Sequence, residues 1–497
     1  MRITLLALAG VVFLASSLPA EQEQNLLRSW VHPGNEVIKS DGYQGAETCT
    51  QCHEKALDEV IESVHWTISS KIRNVQGLPD GTWWGMVNRE CALAGSTSFS
   101  NWTASTNGKM SVQAAGCGVC HIGTLPAPPM PGSKASAAEA ATVDCLVCHA
   151  REYDWSKRAT LVTDSTGTHW GVDRSLAAAL SVTRTPTNEA CLRCHEHSFS
   201  HDYKRGTPFT TAEDVHAAAG MRCITCHVSE HHKIAKGLYE SDMVASDLPD
   251  ASVDCSNCHG DSPHRSKRAT ILNRHTETLA CQTCHIPEVS GVVYDNWGEP
   301  VRDDVHGKIS ALSKFDGIPS RPGLYVSTVK IEKGHPSYIW RTANIAGNAD
   351  AQSWMAFATA TRQSPGAKIF PVRALTQILL FDKHLKMWQA PGMAFMKDNP
   401  KMADFPLLLS PNREVYNKTG DVKAAIDAGM KAYAAMGLTW SGEWMPMQVP
   451  GTSYISVSHS IKKSGLSCAS CHAKGGVMDF KVLGYAPDEI ERLERQR

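Results

Sequence analysis

No charge of either sign dominates this sequence: 49 Lys and Arg stand against 50 Asp and Glu, a formal net charge of −1. That balance offers no basic surface of the kind a polyanion needs, and there is no acidic tail, so nucleic acid is not an expected partner. Long apolar runs are missing as well. Apart from one at the N-terminus, no segment approaches the ~20 residues a membrane span requires. Alternating apolar and polar runs are scarce, while Gly, Pro and Ser interrupt the chain often, which argues against extensive sheet. What remains, at 497 residues and 42% hydrophobic, is a globular protein of one large or two to three ordinary domains.

The N-terminus reads MRITLLALAGVVFLASSLPAEQEQ. Arg2 gives a short positive region, residues 3–15 an apolar stretch, and SSLPA small residues before a cut after Ala20. The expectation is an exported protein, periplasmic or extracellular, associated with the membrane only if this leader stays uncleaved. In such an oxidising place seventeen cysteines would ordinarily mean disulfides. Their spacing points elsewhere.

Eight times the chain reads Cys-x-x-Cys-His. The first four copies are Cys49, Cys52, His53; Cys117, Cys120, His121; Cys145, Cys148, His149; and Cys191, Cys194, His195. The last four are Cys223, Cys226, His227; Cys255, Cys258, His259; Cys281, Cys284, His285; and Cys468, Cys471, His472. Two thiols one turn apart can bond the two vinyl groups of a single haem, and the adjacent histidine can ligate its iron. Zinc has no need of a histidine after every second cysteine, and bridges within CxxC would be strained and leave eight histidines unexplained. The expected cofactor is therefore eight covalently bound haem c groups with their iron.

Seven motifs fall between residues 45 and 290, with gaps too short for seven separate protein cores. The fold expected is mainly α with much irregular loop, a multihaem cytochrome c fold in which stacked haems form the core. Fourteen histidines lie outside the motifs, and an iron used for electron transfer takes a second strong ligand. His65, in a stretch with helical apolar spacing, is the foremost candidate, followed by His216, His232, His264, His275 and His459, with His201 behind them. His32 and His306 read as loop residues; His335 and His384 are unassigned.

Along the chain, residues 1–20 are the leader, 21–44 a polar lead-in, and 45–290 the seven-motif cluster. Residues 291–460 form a motif-free segment packing on that cluster, and 461–497 bring the eighth motif and a tail. In the motif-free segment DAQSWMAFATATRQ, RALTQILLFDKHLKMW and DVKAAIDAGMKAYAAMG read as helices. Asp421 could cap the last, though Gly420 before it fits a loop equally well. The terminal DEIERLERQR reads as a solvated helix.

Several segments resemble the octahaem tetrathionate reductase family over most of the mature chain. They are VHW after the first motif, VDCLVCH, NEACLRCH followed by DVH, LNRHTETLACQTCHIP, and SHSIKKSGLSCASCHAKGGVMDFKVLGY after a long motif-free gap. The resemblance implies that the second haem, on Cys117 and Cys120, is the active one. It also implies a lysine ligand to that iron, Lys157, and a free cysteine near the same site, Cys91. One departure bears on substrate: where the family has an acidic segment supplying an active-site acid, no Asp or Glu occurs here between His121 and Glu139.

The activity implied is reduction of a small sulfur or nitrogen oxyanion, with tetrathionate split by two electrons into two thiosulfates as the first case. Electrons would come from redox partner proteins or quinol-linked donors, and an oligomer is compatible with this. Arg151, Lys157, Arg158, Lys204 and Arg205 could attract the anion or simply form a solvated basic face. Two rivals stand beside this reading. A nitrite or hydroxylamine enzyme is one, although all eight motifs end in His and nothing marks Tyr416, Tyr433 or Tyr454 as a cross-linking residue. The other is an electron conduit without catalysis, which fourteen spare histidines permit.

Overall fold

The computed structural model of the chain describes most residues between 30 and 495. Residues 86–116, 196–208, 238–246, 300–326, 349–359, most of 390–403 and scattered shorter positions lie outside it. The leader, Cys91, His201, Lys204, Arg205, His306, Tyr433 and most of DAQSWMAFATATRQ are therefore outside the described residues.

The motif-rich region is assembled from very short helices. After the first motif come α1 (Ala56–Ile61) and α2 (Val64–Thr67); α3 (Trp155–Arg158) follows the third motif, and α4 (Cys281–His285) carries the seventh. A two-residue turn joins β1 (Ser229–Glu230) to β2 (Lys233–Ile234) after the fifth motif. Isolated helices of fewer than ~12 residues are marginal in water, so packing holds these. Around the first four motifs it takes the form of an ordinary apolar cluster that includes Ile38, Tyr43, Trp66, Leu146, Val147 and Trp155. The polar lead-in ends inside it, since the helix Asn35–Asp41 buries Ile38.

Beyond residue 288 the expected mainly α architecture gives way to a mixed one. Strands β3 (Val289–Asn296), β4 (Ser327–Gly334) and β5 (Ser337–Arg341) precede β6 (Lys368–Lys386), a strand of 19 residues. It is followed by β7 (Pro406–Leu408), β8 (Trp444–Gln448) and β9 (Ser453–Ser456). These make a seven-stranded sheet. Its spine is β6, parallel to β3 (Tyr294 opposite Thr376) and antiparallel to β5, β7, β8 and β9.

Most of RALTQILLFDKHLKMW, read as a helix from its sequence, is thus strand. The ILLF run is continuous, so its spacing does not separate a buried strand from a buried helix. The outcome is decided by neighbours: with partners on both edges and both faces covered, Leu379, Leu380 and Phe381 are all buried. DVKAAIDAGMKAYAAMG contains the helix α5 (Val422–Gly429), and Lys431 and Ala434 beyond it are helical as well. Asp421 and Gly420 divide the two roles their sequence allowed. Asp421 Oδ1 accepts the Ala424 amide at 3.1 Å, while Gly420 takes the left-handed conformation (φ 68°) that ends the preceding helix Arg413–Thr419.

Sheet and motif region meet at the seventh motif. The Ala280 amide donates to the Ile369 carbonyl at 3.0 Å, and Thr283 Oγ1 donates to the same oxygen at 2.6 Å. The terminal helix α6 (Pro487–Arg495) is less solvated than its sequence suggests, because Ile490 and Leu493 pack against a cluster containing Trp340, Phe480 and Leu483. Among the described residues no helix is long and apolar enough to cross a membrane.

Candidate metal centres

Each of the eight motifs lies on or ends a short helical turn. Among the described cysteines none forms a disulfide. Seven of the motif histidines face a second imidazole. The ring centroids lie 6.0 Å apart for His53 and His32, 6.1 Å for His195 and His65, and 6.4 Å for His149 and His232. They are 6.2 Å apart for His227 and His459 and 6.1 Å for His259 and His216. For His285 and His264 the spacing is 6.3 Å, and for His472 and His275 it is 6.2 Å.

That spacing is a test of what would fit between the rings. A metal–imidazole bond is about 2 Å, and a ring nitrogen lies about 1 Å from the ring centre, so two imidazoles on one metal stand about 6 Å apart. Seven pairs meet the requirement for a six-coordinate haem iron held from both sides. Among the described residues no group of three or more His, Cys, Asp and Glu converges as a bare zinc ion would need.

Hydrogen bonding supports the same assignment. Nδ1 of His149, His227, His285 and His472 each meets a backbone carbonyl, of Thr183, Ala235, Lys462 and Leu493. Among the facing rings, His275 Nδ1 meets the Ile271 carbonyl at 2.8 Å. A carbonyl only accepts, so Nδ1 carries the proton and Nε2 is left with a bare lone pair, the tautomer a metal ligand requires. Burial lowers the basicity of His65 and His149, keeping them neutral and available.

The second motif differs. His121 is buried, and the Gly123 amide donates to its Nδ1 at 3.1 Å while its Nε2 lies 2.6 Å from the Trp66 carbonyl. Nδ1 also lies 3.0 Å from the Gly123 carbonyl, so both ring nitrogens are engaged by backbone. Burial brings this imidazole down to about 4, so it is neutral. Trp66 lies against its ring, 5.1 Å away. As placed, His121 turns Nε2 to the Trp66 carbonyl, whereas His149, His227, His285 and His472 turn Nδ1 to a carbonyl.

Arg158 is fully buried beside this motif and donates to the carbonyls of Val119, His121, Gly123 and Gly171. Its neighbour on α3, Lys157, is half-exposed, with Nζ 2.7 Å from Asp173 Oδ1. Burial opposes ionisation of Asp173, but the Lys157 ammonium and the Asp154 and Ser175 amides outweigh it and hold the carboxyl down to about 2. Lys157 is thus engaged with a carboxylate. Arg151 pairs with Glu152 at 3.7 Å. Tyr416 is buried in the apolar cluster under the sheet, and Tyr454 packs beside Phe370 and Val372.

The motifs also adjoin one another in series. The thiols of Cys49 and Cys145, Cys120 and Cys194, Cys191 and Cys223, and Cys255 and Cys281 are near neighbours that perturb one another's ionisation. Cys148 lies beside Cys191 and Cys194, Cys226 beside Cys258, and Cys284 beside Cys471. Every motif therefore has a neighbour, and the eight form one unbroken relay.

A family model for bacterial cytochrome c matches residues 333–475. Over the whole molecule, the crystal structure of octaheme cytochrome c from Shewanella oneidensis aligns with a TM-score of 0.62 at 21% identity, covering 93% of this chain and 98% of that one. The fold is that of a multihaem c-type cytochrome. An uncharacterised protein of Archaeoglobus fulgidus is 26% identical over 226 residues, 38% of this chain and 75% of that protein.

Of the sequence candidates, His65, His216, His232, His264, His275 and His459 each face a motif histidine, whereas His335 donates to the Pro287 carbonyl and His384 sits near Glu443. His32, read as a loop residue, stands opposite His53. It lies in the turn before the helix Asn35–Asp41, where no periodicity marks it; only the count of irons in search of partners could have singled it out.

Proposed function

We propose that this cytochrome is an exported octahaem reductase of a small sulfur or nitrogen oxyanion, working in the periplasm and receiving electrons from redox partner proteins or quinol-linked donors. Haem bound at the motifs supplies reversible one-electron transfer at iron. The unbroken relay of motifs supports a role in carrying electrons. The observation that carries the catalytic assignment is that the second motif holds its histidine differently: His121 turns Nε2 to the Trp66 carbonyl and packs on the Trp66 indole, whereas His149, His227, His285 and His472 turn Nδ1 to a carbonyl. Fixed bis-histidine ligation suits electron transfer, and the centre held differently is where substrate would bind. The buried Arg158 adds positive charge near the second motif, suited to an anion. Lys157 and Cys91 remain the residues to test as its ligand and neighbour, as the family resemblance implies.

A conduit without catalysis is the second reading, favoured by the engagement of Lys157 with Asp173. Electron paramagnetic resonance of the oxidised holoprotein separates the two. Seven low-spin bis-imidazole centres and one different centre, altered alone in Lys157→Ala, would support a reductase. Eight equivalent centres indifferent to that substitution would leave the conduit. Reduced protein is then offered tetrathionate, nitrite and hydroxylamine in turn, and reoxidation names the substrate; silence with tetrathionate alone removes that substrate and spares the class.

A further inference from the structure

The seven facing histidine pairs are not equal in what holds them. Carbonyls take the Nδ1 proton of His149, His227, His275, His285 and His472, and the Asn273 side-chain oxygen lies 2.9 Å from His264 Nδ1. Two meet a carboxylate: His216 Nδ1 lies 3.4 Å from Asp214 Oδ1, two residues before it in the chain, and His232 Nδ1 lies much closer, 2.8 Å from Glu59 Oε2 on a distant segment. The other oxygen, Oε1, takes Nδ1 of the adjacent His231 at 2.9 Å. One glutamate on α1, just past the first motif, thus clamps two consecutive histidines 172 and 173 residues away.

The backbone is bent to this purpose. His231 and His232 are the two central residues of the β1–β2 turn, with φ of 48° and 62°. A two-residue hairpin with both φ positive ordinarily takes Asn-Gly, because side chains crowd in the left-handed region. Two histidines there are a strained choice, sustained when surrounding contacts over-determine it. Glu59 supplies those contacts, and Lys233 Nζ adds a bridge to Oε2 of Glu62, the C-cap of the same helix, at 3.4 Å.

We propose that Glu59 is a positioning residue that aims His232 at the iron of the haem on Cys145 and Cys148 and lowers the potential of that haem relative to its carbonyl-bonded neighbours. This rests on the reading that the third motif carries haem. A carboxylate accepting the Nδ1 proton draws it away from the ring, makes Nε2 a stronger donor, and so favours the ferric iron. The location gives the tuning a consequence. The third motif adjoins the first through Cys49 and Cys145 and the fourth through Cys148 and Cys191. A depressed potential there sets an uphill step between the first haem and the rest of the relay.

The test is Glu59→Gln in the holoprotein, with haem counted by mass and the haems reduced stepwise at controlled potential under optical and paramagnetic detection. One component should move to higher potential by at least tenfold in its one-electron equilibrium (~59 mV), the others staying in place; Glu62→Gln, which removes a charge from the C-cap of the same helix without touching His232, should move none. No movement in Glu59→Gln, or several components moving together in both variants, would overturn the proposal. Should Glu59→Gln lose its ligand outright, His231→Asn decides: asparagine suits the turn, and freeing Glu59 for His232 alone should lower the same component. An unmoved component there rejects the idea. A haem count below eight in the unsubstituted protein would fault the haem assignment and not the role of Glu59.

Discussion

Between residues 45 and 290 the longest described helix has eight residues, and apolar side chains gather around pairs of imidazoles. Between 368 and 448, one 19-residue strand has partners on both edges and covers an apolar cluster of its own, with Phe381, Met387, Leu407, Ala425 and Ile426 fully buried. The first region combines a small apolar cluster with facing imidazoles spaced for a metal between them; the second is a sheet-based core with no motif in it. The difference leads to the expectation that haem attachment matters to folding far more in the first region than in the second. The most severe way to break the comparison is to make the protein without haem attachment. Amides of α1, α3 and α4 should then exchange with solvent at unfolded-chain rates, while those of β6 facing β7 and β8 stay protected. Equal protection in both regions by hydrogen exchange would show that the motif region needs no metal to fold.

The same contrast explains what was legible in the sequence. Attachment points are local, so eight CxxCH motifs announce themselves by spacing. Facing histidines are not local: His459 meets His227 across 232 positions, a pairing fixed by the fold and invisible to periodicity. Candidates such as His65 could be named because a helical pattern surrounds them, but their partners could not, and His32 offered no pattern at all. The sheet was missed for a related reason. The character of β6 comes from five partner strands distributed between residues 289 and 456, whereas its own letters suit a buried helix equally well. Ring orientation lies further out of reach, since the turn of His121 Nε2 toward the Trp66 carbonyl exists only in three dimensions.

A milder perturbation sharpens the comparison from the other side. Phe381 is fully buried and packs edge-on against Phe405 at 5.4 Å. Phe381→Ala removes a large apolar side chain from a site with little freedom to collapse, at a cost of about 3–5 kcal/mol. In the holoprotein this should lower the denaturant midpoint of the sheet region and leave the haem spectrum unchanged below that transition. A change of haem spin state accompanying the substitution under native conditions would mean that the sheet helps to set ligation.

The smallest effect belongs to the cap of α5. Asp421 is exposed, so its contribution is local: its side chain accepts the Ala424 amide, one of four donors that a helix start leaves without an intrahelical partner. Its carboxylate also sits at the positive end of the helix dipole. Asp421→Ala should therefore cost about 1 kcal/mol, a shift in denaturant midpoint confined to the sheet region. Asp421→Asn divides the two contributions, since asparagine keeps the acceptor and discards the charge. Stability close to that of the unsubstituted protein assigns the effect to the hydrogen bond, and a loss equal to that of Asp421→Ala assigns it to the charge. Either way α5 should fray before its neighbours, because Ala425 and Ile426 are buried through this helix alone while the strands beside them are held by β6.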